Sequence, residues 1–320
     1  MKETLLLSRA DVERLLTPEV CIAALEDAFR QLGEGRVPPP GILGLPGEEG
    51  SFHVKAGFLA ADRPYFAAKL NANFPRNARH GLPTIQGAVI LSDAGNGVPL
   101  AIMDSGSITA LRTAAASAVA AKHLAPQECD SALICGCGGQ ARAQLAALLR
   151  VRKPRKVLAY DQDHAKAARF GAATGAEAVS ELVPAVAASR IVVTCTTAQR
   201  YFITREMVRP GTFIAAVGAD SENKQEIDPE LMAHGTVVTD LTEQAAKIGE
   251  LHHAIGAGAM SRQDVHAELA ELVTGRKRGR TSEQEITIFD STGTGLQDVA
   301  AAIAAYRRAL DAHAGVAFTL

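Results

Sequence analysis

The sequence contains no tryptophan, and only 4% of its residues are aromatic. With alanine abundant, this scarcity goes with helices that pack closely through small side chains. Charge of one sign is also missing: 33 Lys and Arg face 35 Asp and Glu, for a formal net charge of −2. The basic residues are scattered, which leaves no electrostatic footprint for nucleic acid, and a small-molecule partner is expected. The five cysteines, Cys21, Cys129, Cys135, Cys137 and Cys195, form no metal-ligand spacing, so no metal site is expected. Their odd number reads as a reduced, cytoplasmic chain. The apolar runs are short or broken by charge, and no export signal precedes the first helical pattern, so neither secretion nor membrane spanning is expected. At 320 residues the chain is long for one compact core, since single cores stop growing near ~250–300 residues, and two domains are expected.

What the sequence does have is a glycine turn in a telling setting. Ser131-Ala-Leu-Ile-Cys135 is an apolar strand pattern that enters Gly136-Cys-Gly138-Gly139-Gln140-Ala141 and leaves as an alanine-rich helix. Gly136-x-Gly138-x-x-Ala141 matches the dinucleotide fingerprint with a small third residue. Gly136 permits the tight turn, Gly138 lets the backbone approach a pyrophosphate, and Ala141 allows close helix packing. A second apolar run, Lys156-Val-Leu-Ala-Tyr160, ends in Asp161, where a carboxylate can hold an adenosine ribose. A free 2′-hydroxyl suits that carboxylate and a 2′-phosphate does not. NADH is therefore expected over NADPH, with use of NADP left open.

Around this turn the chain divides in character. Ser8 and Thr17-Pro18-Glu19 are helix starts, and Ile22, Leu25 and Phe29 give the second helix an apolar face ended by Gly33. Pro38-Pro-Pro-Gly41 suits neither a helix nor a central strand. Phe52–Ala56, Phe66–Asn73, Ile85–Leu91 and Pro99–Met103 read as antiparallel strands. A helix over 107–124 leads to the glycine turn. Beyond it, short apolar strands at 190–194, 212–217, 236–239 and 286–289 alternate with helices, which predicts a doubly wound parallel sheet. The fold class is α/β, a Rossmann sheet beside an antiparallel-sheet domain. Residues 1–120, rejoined by 303–320, form the antiparallel-sheet domain, and 121–302 the Rossmann domain. The Gly275-Arg-Lys-Arg-Gly-Arg280 cluster reads as a solvated loop.

Three charged residues invite a chemical reading, each with a plainer one beside it. Lys69 interrupts an apolar strand, where a buried charge needs a purpose or partner; otherwise it is an exposed edge lysine. Arg112, in Thr109-Ala-Leu-Arg112-Thr113, can grip a carboxylate bidentately, or is an ordinary helix-surface arginine. Asp220 follows Val217-Gly-Ala at a strand's carboxyl end, where substrates meet nicotinamide, or is a solvated loop residue.

The segments Ala68-Lys69-Leu-Asn-Ala-Asn-Phe-Pro75, Gly81-Leu-Pro-Thr-Ile-Gln-Gly87, Met103-Asp104 with Thr109–Ala114, Gly136–Ala141, Val217-Gly-Ala-Asp220 with Lys224, and Phe289-Asp-Ser-Thr-Gly293 occur in one order across most of the chain. In that order they resemble the ornithine cyclodeaminase/μ-crystallin family. The resemblance implies a homodimer whose N-terminal sheets pair across a two-fold axis. It also implies a substrate lysine at Lys69, a carboxylate-binding arginine at Arg112 and a proton-transferring aspartate at Asp220. Its cofactor contacts fall on Thr84, Arg112, Gly139, Gln140, Asp161, Thr197, Lys224 and Ser291, beside Gly136 and Gly138 of the turn. Two departures imply an altered pocket. The arginine that members carry near the proline pair is absent from Pro38-Pro-Pro-Gly-Ile-Leu, with Arg36 too early to replace it, and Lys55 stands where many members have methionine.

The family shares hydride exchange between nicotinamide and a carbon bearing both nitrogen and carboxylate. The expected activity is NADH-dependent reduction of a 2-imino acid to an L-amino acid. Arg112 fixes the carboxylate, Lys69 holds the carboxylate or polarises the reacting centre, and Asp220 serves as acid/base beside the nitrogen. Pyrroline-2-carboxylate and iminopyruvate fit a small pocket; Lys55, with Arg76 or His80, can instead receive the second carboxylate of iminosuccinate. An ornithine cyclodeaminase-type lyase and a non-catalytic nucleotide-binding protein of the μ-crystallin kind are the alternatives.

Overall fold

The computed structural model describes residues 3–319. The chain forms two compact units, one running to Arg112 and resuming at Thr294, the other spanning Thr113–Gly293. The divisions fall earlier than 120 and 302. The first lies inside the helix Ser105–Leu124, and the second precedes the final helix Gly295–Asp311, which belongs to the first unit from its opening turn.

The first unit is built on a seven-stranded sheet. Its spatial order is Val316–Phe318, Thr4–Leu7, Pro99–Asp104, Ile85–Asp93, Pro64–Asn73, Ser51–Ala60 and Gly41–Pro46. Neighbours are antiparallel except Thr4–Leu7, which runs parallel to Pro99–Asp104, so the sheet is mixed at that end. The edge strand Gly41–Pro46 begins where the proline run ends. All six of its residues are exposed, and with neither face covered it carries no apolar alternation to reveal it.

Helices Arg9–Leu15 and Pro18–Gly33 start where their caps dictate. Ser8 and Asp11 form a reciprocal capping box, and Thr17 accepts from the amide of Val20 ahead of a proline in the first turn. Along Pro64–Asn73 the side chains of Tyr65, Ala67 and Lys69 are buried while Leu70 is exposed, so the odd-numbered residues face inward. The final helix presses on this inner face so closely that a Cβ at Gly295 would lie 2.3 Å from the carbonyl oxygen of Ala56. The outer face is left apolar: Leu6, Phe58, Leu70 and Ile90 are all exposed.

The second unit holds an eight-stranded sheet in which every paired neighbour is parallel. Its order is Glu177–Ala178, Lys156–Tyr160, Ser131–Cys135, Ile191–Thr194, Phe213–Ala216, Thr287–Asp290, Thr236–Thr239 and Ala267–Glu268. The four strands 131–135, 191–194, 213–216 and 287–290 are buried at every residue, which requires cover on both faces and explains their continuous apolar runs. Strand order reverses beside Ser131–Cys135, the switch point at which a doubly wound sheet opens a crevice at its carboxyl ends. In the basic loop Arg276, Lys277 and Arg278 are exposed, whereas Arg280 anchors the loop by donating to the carbonyls of Leu124 and Glu285 and to Thr287 Oγ1. Among the described residues, no helix is long and apolar enough to cross a membrane.

Candidate active site

In the first unit Lys69 is buried, not an edge lysine, because its strand is flanked on both sides and its inward face lies beneath the final helix. Its Nζ donates to Asp298 Oδ1 at 2.8 Å and to Thr109 Oγ1 at 3.2 Å. Arg112 is likewise buried and donates through Nε to the same Asp298 Oδ1 at 2.9 Å and through Nη1 to Gln297 Oε1 at 2.9 Å. One carboxylate oxygen thus gathers an ammonium and a guanidinium, with all three side chains no more than 5% exposed. Burial holds the Lys69 amine down at about 7, helped by the like charges of Arg112 and Lys55 and opposed by Asp298. Burial would raise Asp298, but the Lys69 and Arg112 cations outweigh it and keep its carboxyl below the usual range.

Lys55 lies directly opposite Lys69 across the antiparallel pair, so both side chains leave the same face of the sheet, and Lys55 is only 9% exposed. Neither Arg76 nor His80 joins this buried group. Arg76 is exposed and bonded to Glu49, and His80 is exposed on the short helical turn Pro75–His80. Arg36 is exposed and paired with Glu34. Thr84 sits exposed just before Ile85–Asp93, its carbonyl accepting from the amide of Phe74.

Asp298 and Gln297 are the residues that sequence reasoning missed. The signal available was a neighbouring amide and acid at the start of an otherwise alanine-rich helix. There, however, an acid is favoured by the helix dipole alone and draws no notice.

In the second unit the glycine turn has the form its pattern predicts. Gly136 has φ +92°, and a Cβ there would meet the carbonyl oxygen of Cys195 at 2.9 Å. Gly138 caps the helix Gly139–Val151 without a side-chain hydrogen bond, and a Cβ on Gly138 or Gly139 would meet nothing within 4 Å. Open space thus lies against amides that an anion can use. A cavity of about 490 Å³ adjoins it, lined in part by Gly136, Gly138, Asp161, Thr196, Thr197 and Phe202. Asp161 is fixed at the rim by the amides of Cys137 and Asp163, each at 2.9 Å, and a carboxylate with about four lone-pair sites can accept more. These residues fit an adenosine dinucleotide.

Asp220 is half-exposed and accepts from Lys224 Nζ at 2.6 Å. Its loop is held from below by Glu226, which accepts from the amide of Gly218, the amide and hydroxyl of Thr196 and the hydroxyl of Thr194, all within 2.7 Å. Two more buried carboxylates continue the support. Glu250 accepts the amides of Glu226 and Ile227, and Asp290 accepts those of Glu250 and Leu251. Burial pushes Asp290 up to about 7. Ser291 is buried with an Oγ that has no hydrogen-bond partner among the described residues, an orphan that a ligand amide could satisfy. No group of three His, Cys, Asp or Glu among the described residues could hold a metal.

A model of the ornithine cyclodeaminase/mu-crystallin family matches residues 2–313. An archaeal alanine dehydrogenase, solved as a dimer with bound NAD, superposes with a TM-score of 0.95 at 37% identity over 100% of both chains. The Thermococcus litoralis Δ1-pyrroline-2-carboxylate reductase, solved with NADH and L-proline, gives 0.92 at 34% identity over 98% of this chain and 99% of that one. The iminosuccinate reductase of Paracoccus denitrificans, solved with NAD+, gives 0.92 at 32% identity over 100% of both.

Proposed function

Because this chain belongs to the ornithine cyclodeaminase/mu-crystallin family, we propose that it is an oxidoreductase that reduces a small 2-imino acid to the L-amino acid with NADH. The observation that carries the reading is the buried meeting of Lys69 and Arg112 at one carboxylate oxygen, a pair of cations suited to a substrate carboxylate. Alanine, proline and iminosuccinate, which figure in the names or ligands of the three solved relatives, all carry a carboxylate beside the carbon that bears nitrogen.

In this reading the glycine turn and Asp161 would hold NADH, which when bound would supply a hydride for the imine carbon. Thr84, Gln140, Thr197, Lys224 and Ser291 complete the proposed cofactor contacts. Lys69 and Arg112 fix the substrate carboxylate, and orientation of this kind supplies a large share of such barriers. Asp220 provides the proton for the nitrogen, worth ~10²–10⁴-fold. Lys55, partnered with Lys69 across the strands, is the group we assign to a second carboxylate, which puts iminosuccinate first among the substrates.

We also assign the apolar outer face around Leu6, Phe58, Leu70 and Ile90 to a second copy of the chain, giving a homodimer, and we place the protein, with its five free cysteines, in the cytoplasm. The test is NADH oxidation with iminosuccinate, pyrroline-2-carboxylate and pyruvate plus ammonia. No oxidation with any of the three removes the reductase reading. Ammonia release from ornithine without net NADH consumption would replace it with the lyase.

A further inference from the structure

The pair of cations poses a problem that the proposed function leaves open. Lys69 and Arg112 are 2% and 4% exposed, Lys55 shares their face of the sheet, and like charges taken out of water repel strongly. Something must hold them in register before a substrate arrives. Asp298 is the carboxylate they share, and it comes from the far end of the chain. Its Oδ1 lies 2.8 Å from Lys69 Nζ and 2.9 Å from Arg112 Nε, so both cations converge on one point. Gln297, the preceding residue, takes Arg112 Nη1 and fixes the plane of the guanidinium. Among the described residues this leaves one hydrogen on Arg112 Nη1, the two on Nη2 and the third on Lys69 Nζ as the unspent donors of the pair. Asp298 Oδ2 is buried without a hydrogen-bond partner among the described residues, so the carboxylate's compensation comes chiefly from these two cations.

We propose that Asp298 is the positioning residue of the carboxylate site, tying Lys69 and Arg112 together so that their remaining donors are presented to one substrate carboxylate. The proposal rests on the reading of Lys69 and Arg112 as substrate ligands. It assigns Asp298 no contact with the reacting atoms. Asp298→Asn keeps the size and one acceptor oxygen but removes the charge, so Lys69 loses the anion that favours its ammonium and keeps the like charges of Arg112 and Lys55 beside it.

The test follows Lys69 by NMR of isotope-labelled lysine, assigned by its loss in Lys69→Met, while pyruvate is titrated as a carboxylate probe that needs no turnover. In Asp298→Asn, pyruvate binding and KM for the best imine should weaken by at least ~10-fold, the worth of a charge-assisted hydrogen bond, with kcat changed less. The Lys69 midpoint should fall by about one pH unit or more, since removing a neighbouring anion disfavours the ammonium. A midpoint and pyruvate affinity equal to those of the wild type overturn the proposal, however active the wild type is. If the wild type reduces none of the imines yet binds pyruvate, and Asp298→Asn weakens that binding tenfold, the reductase reading falls and the role of Asp298 stands. Should Asp298→Asn not fold, Asp298→Glu displaces the oxygen while keeping its charge; undiminished pyruvate affinity in that variant also overturns the proposal.

Discussion

Replacing Gly295 by alanine sets two effects of known sign against each other. Alanine is favoured over glycine by about 1 kcal/mol in a helix interior and by less at the first helical position, which Gly295 occupies, so local propensity alone makes Gly295→Ala stabilising. The surroundings reverse this. A Cβ at Gly295 would lie 2.3 Å from the oxygen, 2.4 Å from the carbonyl carbon and 2.7 Å from the nitrogen of Ala56, all of them backbone atoms of an internal strand. Ordinary contact is about 3.5 Å, so the helix must retreat by roughly 1 Å. Overpacking of this kind costs about 1–3 kcal/mol, which exceeds the gain in propensity. The same retreat carries Gln297 and Asp298 away from Arg112 and Lys69, stretching bonds of 2.8–2.9 Å beyond hydrogen-bonding range. Urea unfolding of Gly295→Ala should therefore show a net loss of about 1–2 kcal/mol, and KM for the imine substrate should rise by at least ~10-fold. A variant that is more stable than the wild type with unchanged KM would refute both the clash and the coupling of this helix to the cations.

Lys69 makes stability depend on pH with a definite sign. Its folded value of about 7 lies below the ordinary ~10.4, so between these limits the unfolded chain binds the extra proton and stability rises with pH. Lys69→Met should remove a rise on the order of 1–4 kcal/mol between neutral and alkaline pH, measured by urea unfolding at both; parallel curves for the two proteins would contradict the buried amine. Arg112→Lys loses the fork that reaches both Asp298 and Gln297, and kcat/KM should fall by roughly 10–100-fold, with a wild-type value removing the bidentate argument. Asp161→Ser should weaken NADH binding by about 10-fold in a fluorescence titration and narrow the preference over NADPH, whereas an unchanged ratio would take Asp161 out of cofactor choice. Asp290→Asn leaves one of the amides of Glu250 and Leu251 facing an NH₂ group, so the urea midpoint should drop by the equivalent of about 1–3 kcal/mol; no drop would mean that the buried acceptor is dispensable.

The parts of this protein that could be read from sequence are those whose determinants are local. The glycine turn, its flanking strand and the acid at the end of the next strand lie within about thirty residues of one another, and a short pattern carries them. Lys69 stood out because a charge interrupted an apolar strand, and Arg112 because its helix was otherwise small and apolar. Asp298 did not, because its meaning lies in a bond to a residue 229 positions away, while locally it looks like any acid in a first helical turn. Glu226 and Glu250 were invisible for a related reason. Glu250 accepts two backbone amides, which have no side-chain signature, and Glu226 accepts two amides and two threonine hydroxyls from segments up to 32 positions away. Gly41–Pro46 escaped notice because an edge strand exposed on both faces has no alternation, and its proline neighbours argue for a loop.

The cluster at Asp298 also sets a timetable for synthesis. Lys69, Thr109 and Arg112 leave the ribosome first, then all of Thr113–Gly293, and only afterwards the helix that supplies Gln297 and Asp298. Until that helix has emerged, the nascent sheet carries its cations without their counter-ion and its inner face without a lid. A truncation ending at Gly293 would leave every residue of the nucleotide unit in place and strip the other unit of its final helix, and with it of Gln297 and Asp298.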